Sequence, residues 1–225
     1  MPDAVLWDMD GTLVDSEKLW DIPLFEITRE LGGELSAETR AAMVGSNIPT
    51  TLDLIFAEVG VTPTPSQRRE ITERIDRRML ELFVDGLEWR PGAQEALKAV
   101  RATGVPMALV TSTERALTDV ALATIGRDLF DVTVCGDEVD GRHKPQPEPY
   151  LRASRMLDVD PAACVAVEDS PTGIAAATGA GCAVLAIPCE VPIEPAQGRV
   201  VRDSLVGVDL TVLADVLAAA RQPVG

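Results

Sequence analysis

Short apolar runs alternate with longer amphipathic stretches over most of the chain. The apolar runs are typical of strands buried in a parallel sheet, and they span 4–7, 105–110, 132–135, 164–167 and 183–187. Helical patterns separate the later runs, at 92–103, 114–125, 147–157 and 171–178. Such alternation predicts right-handed crossovers and a mostly parallel sheet. The predicted fold class is therefore α/β, with a Rossmann-like core.

Residues 15–85 interrupt this alternation, because they contain only helical periodicity between the first strand and the rest. Helices are predicted from Ser16 to Gly32-Gly33 and at 37–44, 50–59 and 66–82. Pro23 predicts a kink in the first of them, or a later start. We therefore expect an α/β catalytic core formed by 1–14 and 86–225. An all-helical cap, 15–85, would lie over the end of the first strand and determine substrate specificity.

Composition and charge restrict the partners of the protein. The chain of 225 residues is long enough for one large domain or a domain with an insertion. Its net charge of −16 argues against nucleic acids and anionic membranes, and favours a monomer. No apolar stretch is long enough to span a membrane, and residues 1–3 do not resemble a secretory signal. Four cysteines without a C-x-x-C pair indicate reduced thiols, so we expect a cytoplasmic protein.

Polar residues follow several of the predicted strands. In chain order they are Asp8 and Asp10, Thr111-Ser112-Thr113, Lys144 in a proline-rich loop, and Glu168-Asp169-Ser170. Ligands of open α/β sheets bind beyond the carboxyl ends of the strands. If the sheet is parallel, these residues converge on one edge, which the Lys144 loop can also reach.

Phosphoryl transfer explains why these residue types would be gathered. Mg²⁺ held by Asp8 and Asp169 would screen the negative charges of carboxylate and phosphate. Lys144 and the hydroxyl of Thr111 would bind phosphate oxygens. Asp8 would attack phosphorus and form an aspartyl-phosphate. Asp10 would then protonate the leaving alkoxide and deprotonate the attacking water.

The same residues resemble the four motifs of the haloacid dehalogenase superfamily. The segment 8–16, Asp-Met-Asp-Gly-Thr-Leu-Val-Asp-Ser, is similar to the first motif and Thr111 to the second. Lys144-Pro145 is similar to the third motif, and 168–173 to the fourth. The resemblance covers almost the whole chain, including an inserted helical cap.

That resemblance implies roles for individual residues. Asp8 is expected to be the nucleophile and Asp10 the acid and base, with Lys144 completing the catalytic group. Substrate binding is expected from Thr111, Ser112, Gly11 and Lys144. Mg²⁺ is expected on the carboxylates of Asp8 and Asp169 and the backbone carbonyl of Asp10, with Glu168 supporting these ligands.

Branches of the superfamily differ in their reactions. Dehalogenases usually lack the second carboxylate, here Asp10, and phosphonoacetaldehyde hydrolases need a cap lysine, for which only Lys18 is present. Beta-phosphoglucomutases typically carry a cap histidine where this chain has Trp20. The resemblance therefore favours a Mg²⁺-dependent phosphatase acting on a small phosphorylated metabolite, a sugar or polyol phosphate. A hexose phosphomutase and a catalytically silent binding module are the alternatives.

Two cap features remain open at this stage. Trp20 could pack inside the cap or stack on a sugar ring. Gly45-Ser46-Asn47 could be a turn between cap helices or a loop facing the substrate. His143, the single histidine, is assigned no role.

Overall fold

A six-stranded parallel sheet forms the centre of the protein in the computed structural model, which describes residues 1–221. Its strands are β1 (Ala4–Trp7), β2 (Met107–Val110), β3 (Val132–Val134), β4 (Cys164–Glu168), β5 (Ala183–Ala186) and β6 (Arg199–Val201). They lie in the order β3-β2-β1-β4-β5-β6, and each neighbouring pair is parallel. The predicted α/β fold class is confirmed.

The strand order determines where a ligand can bind. From β1 the chain moves outward through β2 and β3, then returns to place β4 on the other side of β1. A crevice opens at such a reversal, beyond the carboxyl ends of the two strands. Trp7, the last residue of β1, pairs with Leu109 of β2 and Val167 of β4. The residues that follow these three strands therefore lie at the same edge of the sheet.

Helices flank the sheet and fill the long connection after β1. They are α1 (Glu17–Glu30), α2 (Ala37–Met43), α3 (Ile48–Val59), α4 (Pro65–Val84), α5 (Ala93–Arg101), α6 (Arg115–Ile125), α7 (Glu148–Leu157), α8 (Pro171–Ala180) and α9 (Leu210–Ala220). Short 3₁₀ turns occur at 127–129, 136–138 and 161–163. Sequence patterns missed β6 and α9. The cysteines Cys135, Cys164 and Cys182 are buried and free, as expected of core thiols.

The inserted segment consists of α1 to α4, and its two ends are held together. Asp15 N–H donates to the carbonyl of Glu88 at 2.8 Å, and Arg90 N–H donates to that of Leu13 at 2.9 Å. Helix α1 packs on α4, and α4 also packs on α6 of the sheet-flanking layer. The division into a core of 1–14 and 86–225 and a cap of 15–85 stays a prediction.

Helix α1 starts where the sequence predicts, but the side chain of Ser16 does not cap it. It begins at Glu17 and continues through Pro23, so the later start does not occur. Ser16 occupies the N-cap position, but its hydroxyl donates to the carboxylate of Asp10 at 2.6 Å instead of accepting a helix N–H. The hydroxyl of Ser16 is therefore used by the site rather than by the helix. The predicted stop is confirmed, since α1 ends just before Gly32, whose φ is +88°.

Candidate active site

Three buried carboxylates meet where β1 and β4 end. Oxygens of Asp8, Glu168 and Asp169 all lie within 4.8 Å of one another. Burial is the main cause that raises the pKa of Asp8, to about 8, and repulsion from Glu168 adds to it. Burial also raises the pKa of Asp169, with Asp8 as the next cause. The group is stable in its ionised form only if cations stand beside it.

Lys144 supplies one such positive charge. Its Nζ donates to Asp8 Oδ1 at 2.7 Å, to Glu168 Oε1 at 2.6 Å and to the carbonyl of Val110 at 3.0 Å. Burial opposes the charge of the ammonium group, but Asp8 and Glu168 outweigh it and raise the pKa of Lys144. All three donors of the ammonium are therefore used, and it stays protonated. The predicted meeting of Asp8 and Lys144 at the sheet edge is present.

The carboxylates leave room and lone pairs for a second cation. Asp169 Oδ1 accepts from Thr12 at 3.4 Å, whereas the buried Oδ2 has no partner among residues 1–221. Gly11 adjoins that oxygen with a φ of +75°, and a Cβ there would collide with the Asp169 carboxylate. Crowded carboxylate oxygens are the ligands that Mg²⁺ prefers. The residues present therefore fit a hard divalent cation.

Asp10 lies beside this group in a cage of donors. Its Oδ1 accepts from Ser16 Oγ at 2.6 Å and from Trp20 Nε1 at 3.4 Å. Its Oδ2 accepts from Thr113 Oγ1 at 2.8 Å and Thr111 Oγ1 at 3.1 Å. Ser16 and Trp20 lie at the start of α1, and Thr111 and Thr113 follow β2. Because these four contacts occupy the Asp10 carboxylate, its backbone carbonyl is the group left for the metal role the resemblance implies.

The expected phosphate-binding hydroxyls are engaged elsewhere in this arrangement. Besides bonding to Asp10, Thr111 Oγ1 accepts the backbone N–H of Thr113 at 3.0 Å. Ser112 Oγ donates to the carbonyl of Gly45, between α2 and α3, at 3.1 Å. Phosphate binding by Thr111, Ser112, Gly11 and Lys144 therefore stays a prediction.

Sequence reasoning missed Tyr150 as a member of the site. Its hydroxyl donates to Glu168 Oε1 at 2.5 Å, and Lys144 Nζ lies 5.2 Å from the centre of its ring. Glu168 Oε2 also accepts the backbone N–H of Asp169 at 3.2 Å. Glu168 is thus fixed from several sides behind Asp8. The only sequence signal was one tyrosine in the first turn of α7, which is equally typical of a core residue.

A cleft that is partly open to solvent joins this group to the inserted helices. Trp20 lines the cleft and packs edge-on against Phe83, with 6.5 Å between the ring centres. Its side chain therefore both packs in the inserted segment and faces the cleft. Residues 45–47 also line the cleft, and Asn47 caps α3 by accepting from Thr50 N–H at 2.9 Å. This loop is therefore both a turn and a wall of the cleft. His143 is absent from the described lining.

Comparison with known proteins identifies the family. The family model for haloacid dehalogenase-like hydrolase matches residues 2–181. The chain belongs to the haloacid dehalogenase-like hydrolase family. The resemblance stated from the motifs is confirmed, and the site described above lies entirely within the matched residues. Membership of this hydrolase family also makes the protein an enzyme by class.

Individual haloacid dehalogenase-like hydrolases show how far the similarity extends. Hexitol phosphatase B of Escherichia coli K12 is 31% identical over 187 residues, covering 82% of this chain and 83% of that protein. A phosphorylated carbohydrates phosphatase of Thermotoga maritima is 31% identical over 183 residues, which cover 80% of this chain and 82% of that protein. The structure of CbbY from Rhodobacter sphaeroides with xylulose-1,5-bisphosphate superimposes with a TM-score of 0.84 at 27% identity. The match covers 95% of this chain and 99% of the CbbY chain. These relatives support the expected class of phosphoric monoester hydrolase.

The remaining expectations concern membrane spans, cellular location, oligomeric state and partners. Within the described residues, no helix has the length and apolar character needed to cross a bilayer. The cytoplasmic location, the monomeric state and the lack of nucleic-acid or membrane partners stay predictions.

Proposed function

We propose that the protein is a Mg²⁺-dependent phosphatase that hydrolyses a sugar or polyol phosphate through an aspartyl-phosphate on Asp8. The observation that carries this proposal is the environment of Asp8. Its carboxylate lies where the strand order reverses and accepts a hydrogen bond from Lys144. Carboxylate oxygens of Glu168 and Asp169 lie within 4.8 Å of it. The activities named for hexitol phosphatase B and the phosphorylated carbohydrates phosphatase support the substrate class.

Asp8 is suited to nucleophilic attack because the site favours its ionised form once cations are present. An oxygen of Asp8 forms a bond to phosphorus while the bond from phosphorus to the ester oxygen breaks. Lys144 orients the carboxylate and offsets charge beside the transferring group. Mg²⁺, held by Asp8, Asp169 and the Asp10 carbonyl, would neutralise the negative charge between carboxylate and phosphate.

Asp10 is placed to move the protons. It lines the cleft next to Asp8, where its protonated form gives its proton to the departing alkoxide and becomes a carboxylate. Once the alcohol has left, Asp10 takes a proton from the water that attacks the phosphorus of the aspartyl-phosphate. Inorganic phosphate and the free Asp8 carboxylate result. The inserted helices that cover the cleft limit the access of other water molecules.

A panel of phosphorylated metabolites tests this function. With Mg²⁺ present, we expect phosphate release from hexitol and sugar monophosphates and at least about a hundredfold loss when EDTA removes the metal. Product analysis separates the alternatives. Isomerised sugar phosphate with little free phosphate would indicate a phosphomutase, and no turnover on any ester would indicate a binding module.

The response of protein stability to Mg²⁺ should depend on pH. Without metal, the pKa of Asp8 is raised from 3.8 to about 8. Below 3.8 its contribution to stability is fully present, and it is lost as pH rises through 8, because the folded site favours the proton. Mg²⁺ replaces that proton, so apparent affinity should strengthen about tenfold per pH unit for each proton released. The gain in Tm on adding Mg²⁺ should be larger at about pH 8.5 than at about pH 6.

Thermal unfolding at several Mg²⁺ concentrations measures this effect. Asp8→Asn provides the comparison, because it removes one titrating ligand and should flatten the pH dependence. An equal Mg²⁺-induced gain in Tm at both pH values in the unaltered protein would contradict the coupling.

A further inference from the structure

The part of the cleft beyond Asp8 and Asp10 is walled by the inserted helices and by α6. Its charged side chains are Glu17, Arg40, Asp76 and Glu114. Within the described lining, Arg40 is the sole basic residue. The charge available to the remainder of a substrate therefore depends on how Arg40 is engaged.

Arg40 is already neutralised by carboxylates. Its Nη2 donates to Glu17 Oε2 at 3.0 Å, and its Nε donates to Asp21. The side chain of Arg40 is 15% exposed and that of Glu17 is 8% exposed. A ligand anion that took Arg40 for itself would leave Glu17 buried without its cation, which is unfavourable.

Two acidic residues of the lining, Asp76 and Glu114, have no counterion among residues 1–221. Asp76 on α4 and Glu114 at the start of α6 lie where these two helices pack together. Within residues 1–221, neither carboxylate has a hydrogen-bond or ion-pair partner. Burial, then repulsion from Glu114 and Glu73, raises the pKa of Asp76 to about 6. Asp76 is therefore mainly ionised at neutral pH, and a second phosphate near these two acidic residues would be repelled.

The uncharged part of the lining suits hydroxyl groups. Ser46 Oγ and Thr51 Oγ1 lie 2.7 Å apart in the wall, and Asn47 is beside them. Hydroxyls of a polyol can donate to carboxylates and also exchange hydrogen bonds with these side chains. A phosphate dianion has no proton to donate to Asp76 or Glu114.

We propose that the cleft selects monophosphates with a hydroxylated, uncharged remainder and discriminates against bisphosphates, with Asp76 and Glu114 as specificity-determining residues. This inference rests on the proposed phosphatase function. It narrows the substrate class from sugar and polyol phosphates in general to those with a single phosphate.

A matched substrate pair tests the selectivity. We expect kcat/KM for a hexitol 1-phosphate to exceed that for the hexitol 1,6-bisphosphate by about a hundredfold. In the double variant Asp76→Asn, Glu114→Gln, this ratio should fall at least about tenfold, because two repelling charges are removed. The double variant Glu70→Gln, Glu81→Gln is the matched control, because it also removes two negative charges but on α4 outside the cleft. It should keep the ratio of the unaltered protein.

The outcomes separate this inference from the proposed function. Hydrolysis of the bisphosphate as efficiently as the monophosphate would overturn the selectivity while the phosphatase function stands. A folded double variant, judged by its Tm, that keeps the original ratio would overturn the roles of Asp76 and Glu114. Lack of turnover on every monophosphate of the panel would overturn both the function and the selectivity built on it.

Discussion

Asp8→Asn should abolish phosphate release, with a loss in kcat of at least about 10⁴-fold. The amide that replaces the carboxylate is a poor nucleophile towards phosphorus, so the aspartyl-phosphate does not form. The fold should survive, because Asn has the same shape and its oxygen can still accept from Lys144. Because burial and Glu168 favour the uncharged form of Asp8 when no metal is bound, the neutral amide should leave the Tm in EDTA equal or higher. Phosphate release with Mg²⁺, together with thermal unfolding in EDTA, measures both effects.

Asp158→Asn is a suitable control for this variant. Asp158 is exposed at the end of α7 with a φ of 57°, a conformation that Asn also tolerates. Its turnover should match that of the unaltered protein. Turnover by Asp8→Asn above about a tenth of the normal rate, well outside the expected loss, would refute Asp8 as nucleophile. Mass spectrometry that located the phosphoryl adduct on another side chain would do the same.

Much of the fold follows from local patterns. Continuous apolar runs are sufficient to predict β1 to β5, because strands buried on both faces contain few polar residues. The missed strand, β6, has three residues that are only half-buried, and Arg199 interrupts its apolar character. The position of β6 depends on its pairing with β5, and a sequence pattern does not show that pairing. Element ends differ by a residue or two because caps and fraying determine them.

The site was predictable where topology alone brings residues together. Asp8 and Asp169 each follow a strand, and parallel strands end at one edge, so their proximity follows from the sheet. Tyr150 could not be found in this way, and neither could the hydrogen bond from Thr113 to Asp10, because both depend on the positions of individual side chains. The sequence pattern predicts only a helix start at Ser16, and the hydrogen bond from its hydroxyl to Asp10 is seen only in the folded chain.

The inserted helices were the least predictable part. The pair of Glu17 and Arg40 joins α1 to α2, and Asp76 of α4 faces Glu114 of the core layer. Each residue resembles an ordinary charge on an amphipathic helix when viewed in its own segment. Their chemistry arises from how four helices pack, and no local spacing rule specifies that packing.

Asp10→Asn should lower turnover of a hexitol phosphate by about 10³-fold, because it removes the proton donor and acceptor. The cage around position 10 can accommodate the amide. Its oxygen can keep accepting from Trp20 Nε1, while its NH₂ group donates to the hydroxyls of Thr111 and Thr113, which can reverse their direction. The variant should therefore stay folded, and its Tm should remain close to that of Asp158→Asn.

The choice of leaving group separates the role of Asp10 from that of Asp8. Nitrophenolate needs no proton to depart, so Asp10→Asn should still transfer the phosphoryl group of 4-nitrophenyl phosphate to Asp8. The second step lacks its base, and the aspartyl-phosphate should accumulate. We expect a burst of nitrophenolate close to one equivalent of enzyme, followed by slow turnover, with the adduct visible by mass spectrometry. Asp8→Asn should show neither burst nor adduct. Equal losses on both substrates without an adduct would mean that Asp10 supports the site without moving protons, since only a proton-transfer role makes the defect depend on the leaving group.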